Sequence, residues 1–402
     1  MQITPKSFTL RAAKNSPRFL PALMRISTEN MFKMPALNFL EPHARFHYPH
    51  CLVSYAERSP KPNSINNRTC AYVLGDSGGY SLSKGRAGWV FDWHDRKLAD
   101  AACRNILNWY DATADEGITL DVPLTTPIIG KQPYIQNWQD CLNVSVDNVR
   151  FMSNASPATP LLNVIQVSKE QHVTDTWYNT VKQYQLQGWS IAGFRQGALP
   201  VALFIDILLR LHHDGLLRKP SNRVHIFGVG TARWMFILNA IQQHFPDVRF
   251  TCDNSNASLV SGRWGDGYPT PTFANDNIKA TPFPGKKELH AQLTAAGIKQ
   301  PYQLSFEAMH TQGLVADFTG SPVLTGKMPS DFVQGGKLTQ DGYEFLRTHN
   351  TWAQIHHMYG LAYMHHSDCS HYWWLYEQAV DAVFTALKPF HQLRKETVLW
   401  VN

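Results

Sequence analysis

Three aspartates sit in short apolar runs of this chain: Asp76 ends "AYVLGD" (71–76), Asp253 ends "VRFTCD" (248–253) and Asp121 lies in "GITLDVP" (117–123). Gln166 ends "LLNVIQ" (161–166), and Gly193 and Gly228 punctuate "GWSIAGF" (188–194) and "RVHIFGVG" (223–230). One carboxylate at a strand end is most often a helix N-cap. Several carboxylates converging on one face can do more. Two of them flanking a glycosidic carbon divide a displacement: one attacks the anomeric carbon, and the other handles the proton on the leaving group. Tyr80 and Phe227 add aromatic faces beside those ends, suited to stacking a planar base. Chemistry on a base inside a duplex requires swinging it out into such a pocket. The residues alone imply an acid-rich site for a planar ligand.

The elements that must position these residues follow one grammar. The six apolar runs alternate with plausible helices at Leu98 to Tyr110, Val173 to Gln187, Pro200 to His213 and Ala232 to His244. Strands alternating with helices imply parallel βαβ units. Strands buried on both faces read as continuous apolar runs, as these do. Six units, with flanking segments able to supply two more, predict a (β/α)8 TIM-type barrel, with a doubly wound open sheet as the alternative. Residues 1–50 read as a basic N-terminal arm and 51–402 as the barrel domain. Within that domain 262–345 is a loop-rich insertion, and 346–402 is a helical C-terminal segment rich in histidine and aromatic residues.

Charge placement narrows the partners. The chain of 402 residues carries a net charge of +6. Residues 1–46 hold seven Lys and Arg against two Glu, so +5 of that excess lies in the arm. Such an arm suits a polyanion, nucleic acid above all. A hydrophobic content of 44% supports a sizeable core and argues against disorder. The six cysteines show no CxxC spacing, which implies a reducing compartment, and no apolar leader or membrane span is evident. A soluble, cytoplasmic protein is expected.

The same runs carry a resemblance. "GDSGGYSL" resembles the Asp-Ser-Gly-Gly-aromatic motif of the guanine transglycosylases, and "LDVPLTTP" resembles their archaeal-type Leu-Asp-Ile-Pro segment. "NVIQVS", "IAGFRQG", "HIFGVG" and "FTCDNSNASLV" follow in the family's order, so the likeness covers residues 71 to about 265. That resemblance implies a base-exchange enzyme. Asp253 would be the nucleophile at C1′, held covalently while guanine leaves. Asp76 would be the general acid/base. Asp121 would read the N–H edge of the base, Gln166 and Gly193 its carbonyl edge, and Tyr80 and Phe227 would sandwich the ring. Ser77 and Gly228 complete the implied substrate-binding set.

Departures from the family point to one branch. The Cys-x-Cys-x2-Cys zinc motif of the tRNA-modifying members is absent, and the chain has no room for a full set of C-terminal RNA-binding domains. Both departures fit the DNA-modifying branch of bacteriophages and some bacteria, which inserts 7-deazaguanines into DNA and so evades restriction. The alternatives are the same exchange on tRNA, a non-catalytic nucleic-acid-binding homologue, and a barrel glycosidase. No cofactor is required for the chemistry. His365, Cys369 and His371 could furnish a structural zinc site, though their spacing matches no zinc motif. A homodimer or a helper protein that opens the duplex fits the same reading.

Overall fold

The computed structural model describes residues 16–23, 33–57, 72–86, 88–193, 201–272, 277–363 and 376–387. Eight parallel strands close into a barrel in sequential order. They are β1 (Arg18–Leu23), β2 (His50–Ser54), β3 (Tyr72–Asp76), β4 (Glu116–Ile118), β5 (Leu161–Gln166), β6 (Gly188–Ala192), β7 (Arg223–Ile226) and β8 (Arg249–Asn254). Pairing of β1 with β8, Leu20 opposite Asp253, seals the ring. The (β/α)8 expectation is met, and the open sheet is excluded.

Around the ring lie α1 (Arg96–Thr113), α2 (Trp138–Asn154), α3 (Gln171–Val181), α4 (Val201–His213) and α5 (Ala232–His244), followed by α6 (Gln340–Tyr363). Side chains fix several starts. Asp95 accepts the Lys97 amide ahead of α1, and Asn137 with Asp140 forms a reciprocal capping box at α2. The barrel interior is filled by Leu20, Leu52, Leu74, Ile118, Leu162 and Val164. A larger apolar layer joins the outer strand faces to the helices, as the two-sided burial of parallel strands requires.

Two boundaries differ from the sequence reading. The stretch read as a basic arm contributes β1 and the start of β2, so the barrel begins well inside residues 1–50. "RFLPAL" is a short run amid charges with a proline in it, which masks a strand. The C-terminal helix starts at Gln340, ahead of Leu346, because the Thr339 hydroxyl accepts the Gly342 amide at its first turn. Residues 262–345 hold short helices and two small ribbons around their own cluster of Phe283, Phe306, Phe318 and Phe332. Among the described residues, no helix is long and apolar enough to cross a membrane.

Candidate active site

In a parallel barrel the carboxyl ends of all eight strands open on one face. Asp76 is the last residue of β3, and Asp253 is the penultimate residue of β8. Gln166 ends β5, and Phe227 follows β7 directly. Asp121 lies beyond its strand, because β4 is only three residues long. Its loop is held instead by α2. Ser145 Oγ accepts the Val122 amide at 2.8 Å, and Asn148 Nδ2 donates to the Leu120 carbonyl at 3.2 Å. The fold thus brings Asp76, Asp121, Gln166 and Asp253 to one end of the barrel.

Their contacts are specific. The Gln166 amide donates to Asp121 Oδ2 at 2.5 Å. The Gly78 amide donates to Asp76 Oδ1 at 3.1 Å, and the Gly228 amide to Asp253 Oδ1 at 2.9 Å. Asp121 and Asp253 are only 6% and 8% exposed, while Asp76 keeps part of its surface open to the barrel mouth. Loss of water pushes the Asp76 carboxyl above the usual carboxylate range, against the pull of the Gly78 amide and the Ser54 hydroxyl, and the charge of Asp253 adds to the rise. Burial likewise lifts Asp121 to about 7, opposed by Gln166 and reinforced by Asp76. Asp76 therefore holds its proton more tightly than a solvated aspartate, the direction a general acid requires.

The glycines of "DSGGY" are required by close packing. A Cβ on Gly79 would meet the Asp121 backbone oxygen at 2.7 Å and its Oδ1 at 2.8 Å. The space Gly79 clears is therefore taken by Asp121 itself, and that of Gly78 by Ala56. Gly193, after β6, has φ of 105°, and a Cβ there would lie 2.2 Å from the Val167 carbonyl oxygen. Any side chain at Gly193 would break the contact between the β5 and β6 ends.

Other expected residues are placed less directly. The Ser77 hydroxyl is buried and donates to the Thr119 carbonyl at 3.2 Å, so it ties β3 to the segment after β4. Tyr80 stands at the rim, 60% exposed, with the Lys84 ammonium 4.5 Å above its ring. Phe227 packs with the barrel-interior apolar side chains, edge-on to His225 at 4.8 Å. His365, Cys369 and His371 lie outside the described residues, as do residues 1–15 and 24–32 of the basic arm. Among the described residues, no group of three His, Cys, Asp or Glu could hold a metal ion.

One participant was not singled out in the sequence. His225, fully buried on β7, directs Nε2 towards Asp253 Oδ1 at 3.4 Å. A histidine two residues before Phe227, within an apolar strand of period two, shares the inward face, and that alternation was the available signal. No protein-family model matches the chain, and no curated protein matches it either.

Proposed function

We propose that this chain is a guanine transglycosylase that exchanges guanine in DNA for a 7-deazaguanine base. The observation that carries the reading is the convergence of Asp76, Asp121 and Asp253 at the mouth of one closed barrel, with the proton affinity of Asp76 raised. In the first displacement Asp253 attacks C1′ and the bond from C1′ to guanine N9 breaks, while protonated Asp76 supplies the proton that the departing guanine takes up. In the second, the Asp76 carboxylate takes the N9 proton of the incoming base. N9 then bonds to C1′ and Asp253 is released. Two displacements at one carbon retain the anomeric configuration.

The hydrogen bonds of the aspartates fit these roles. The Gly228 amide occupies Asp253 Oδ1, which leaves Oδ2 for attack. Asp121 in its carboxylate form accepts the ring N–H and exocyclic amine of guanine, with Gln166 fixing its orientation. Neither displacement changes an oxidation state, so the chemistry balances with the two carboxylates alone. At the rim the exposed Tyr80 ring lies beside the Lys84 ammonium, a pairing of apolar face and positive charge that suits an unpaired base and its phosphate. A DNA substrate also matches the arm's excess of cations.

The test is base exchange by purified protein. Duplex DNA and tRNA carrying labelled guanine are offered separately with 7-cyano- and 7-aminomethyl-7-deazaguanine, to wild type, Asp253→Ala and Asp76→Ala. Label release from DNA alone, lost in both variants, is the expected result. Release from tRNA alone would keep the chemistry and reverse the choice of substrate. Salt-dependent DNA binding without exchange on either substrate would support a non-catalytic binding protein instead.

A further inference from the structure

Halfway along the barrel the interior is apolar on β1 to β5, at Leu20, Leu52, Leu74, Ile118, Leu162 and Val164, and polar on part of β6 to β8. The register sets Ser190 of β6 opposite His225 of β7, and His225 opposite Thr251 of β8. These three side chains form one polar layer beneath the aspartates. His225 is 0% exposed, and its two ring nitrogens face different groups. Nδ1 lies 2.9 Å from Thr251 Oγ1. Nε2 lies 3.4 Å from Asp253 Oδ1 without forming a hydrogen bond there, and it has no other hydrogen-bond partner. The same Oδ1 accepts the Gly228 amide from the turn after β7. The Phe227 ring, edge-on at 4.8 Å, limits rotation of the imidazole.

We propose that His225 is the positioning residue for Asp253, holding Oδ1 through an Nε2–H tautomer so that Oδ2 faces the reacting carbon. The Thr251 hydroxyl, donating to Nδ1, selects that tautomer. A hydroxyl can donate or accept, whereas a carboxylate oxygen only accepts. With Thr251 donating to Nδ1, the proton sits on Nε2 and faces Asp253 Oδ1 at 3.4 Å, so a small closure of that gap on substrate binding gives each nitrogen a partner of the right sense. A buried carboxylate held on one oxygen from two sides has little freedom to turn, and an error of about 1 Å at an attacking atom can cost ~100-fold in rate. The role assigned to His225 rests on Asp253 being the attacking group.

Two measurements test it, one of them independent of catalysis. Nitrogen-15 NMR of selectively labelled wild type in mildly alkaline buffer should show His225 protonated at Nε2 and bare at Nδ1, with the tautomers mixed in Thr251→Val. Single-turnover guanine release should slow about 10- to 100-fold in His225→Leu with nucleic-acid affinity unchanged, and His225→Gln, whose amide can donate from a similar place, should recover most of the loss. A proton found on Nδ1 in wild type overturns the proposal. So does wild-type release by His225→Leu, or equal loss in His225→Gln and His225→Leu when both are folded. If wild type exchanges no base but shows the Nε2–H tautomer, the transglycosylase reading fails and the contact with Asp253 stands.

Discussion

A carboxyl group stripped of water holds its proton to a higher pH, and Asp121 does so up to about 7 because burial outweighs the Gln166 hydrogen bond. The folded chain therefore binds that proton more tightly than the unfolded chain, whose aspartate titrates near 3.8. This group costs no stability below the lower value, a growing amount between the two, and its full penalty above the higher. Asp121→Asn removes the charge while keeping the shape. It should raise unfolding free energy at pH 8 by about 2–4 kcal/mol and leave it nearly unchanged near pH 4. Denaturant unfolding at the two pH values checks this, and an equal shift at both would show that the penalty is not electrostatic. Ligand binding has the opposite sense. On the proposed function guanine donates to the carboxylate form, so its affinity in wild type should weaken as pH falls through about 7, and isothermal calorimetry should show that slope vanish in Asp121→Asn. The residue is thus less stable and more useful in the same charge state.

At the level of elements, the site depends on pieces that hold the loops rather than on the strands alone. From α6, Gln354 Nε2 donates to the Gly230 carbonyl at 2.8 Å and to Asn254 Oδ1 at 2.9 Å, joining the segment after β7 to the end of β8. Asn254 follows Asp253 directly. Gln354→Leu leaves Asn254 Oδ1 without that donor, which should cost about 1–3 kcal/mol in unfolding free energy. On the proposed function guanine release should slow as well, since the loss falls next to Asp253, the proposed nucleophile, and paired stability and single-turnover measurements would separate the two effects. Little of this was legible in the sequence. The parallel strands were readable because burial on both faces makes each a continuous apolar run, as in "LLNVIQ". The strand ends carrying Asp76, Gln166 and Asp253 were readable for the same reason. β1 was hidden by its proline and surrounding charge, and α2 by the Ser145 and Asn148 that it turns inward towards the Asp121 loop. His225 could not be assigned before the register placed it beside Thr251.

Over the whole molecule, the barrel separates its two ends. Arg18, Tyr72, Glu116, Arg223 and Arg249 line a cavity at the amino ends of the strands, opposite the aspartates. Arg223 Nη1 meets Glu116 Oε1 at 2.6 Å, and the Tyr72 hydroxyl donates to Glu116 Oε2 at 3.0 Å. Burial pushes the Glu116 carboxyl upward while Arg223 pulls it back, so the pair is held together across the β4 and β7 starts. Removing one partner of such a pair leaves a buried charge without its counterion, which costs more than removing both. Arg223→Met should therefore lower unfolding free energy by about 2–3 kcal/mol, and adding Glu116→Gln should restore most of the loss. The amino end of a barrel supports stability and the carboxyl end carries chemistry. Guanine affinity should accordingly remain at the wild-type value in both variants, because Asp121 and Gln166 stand at the other end. Calorimetric binding beside denaturant unfolding reads both quantities, and an affinity that fell in step with stability would show the two ends to be coupled through the Arg249 and Thr251 face of β8.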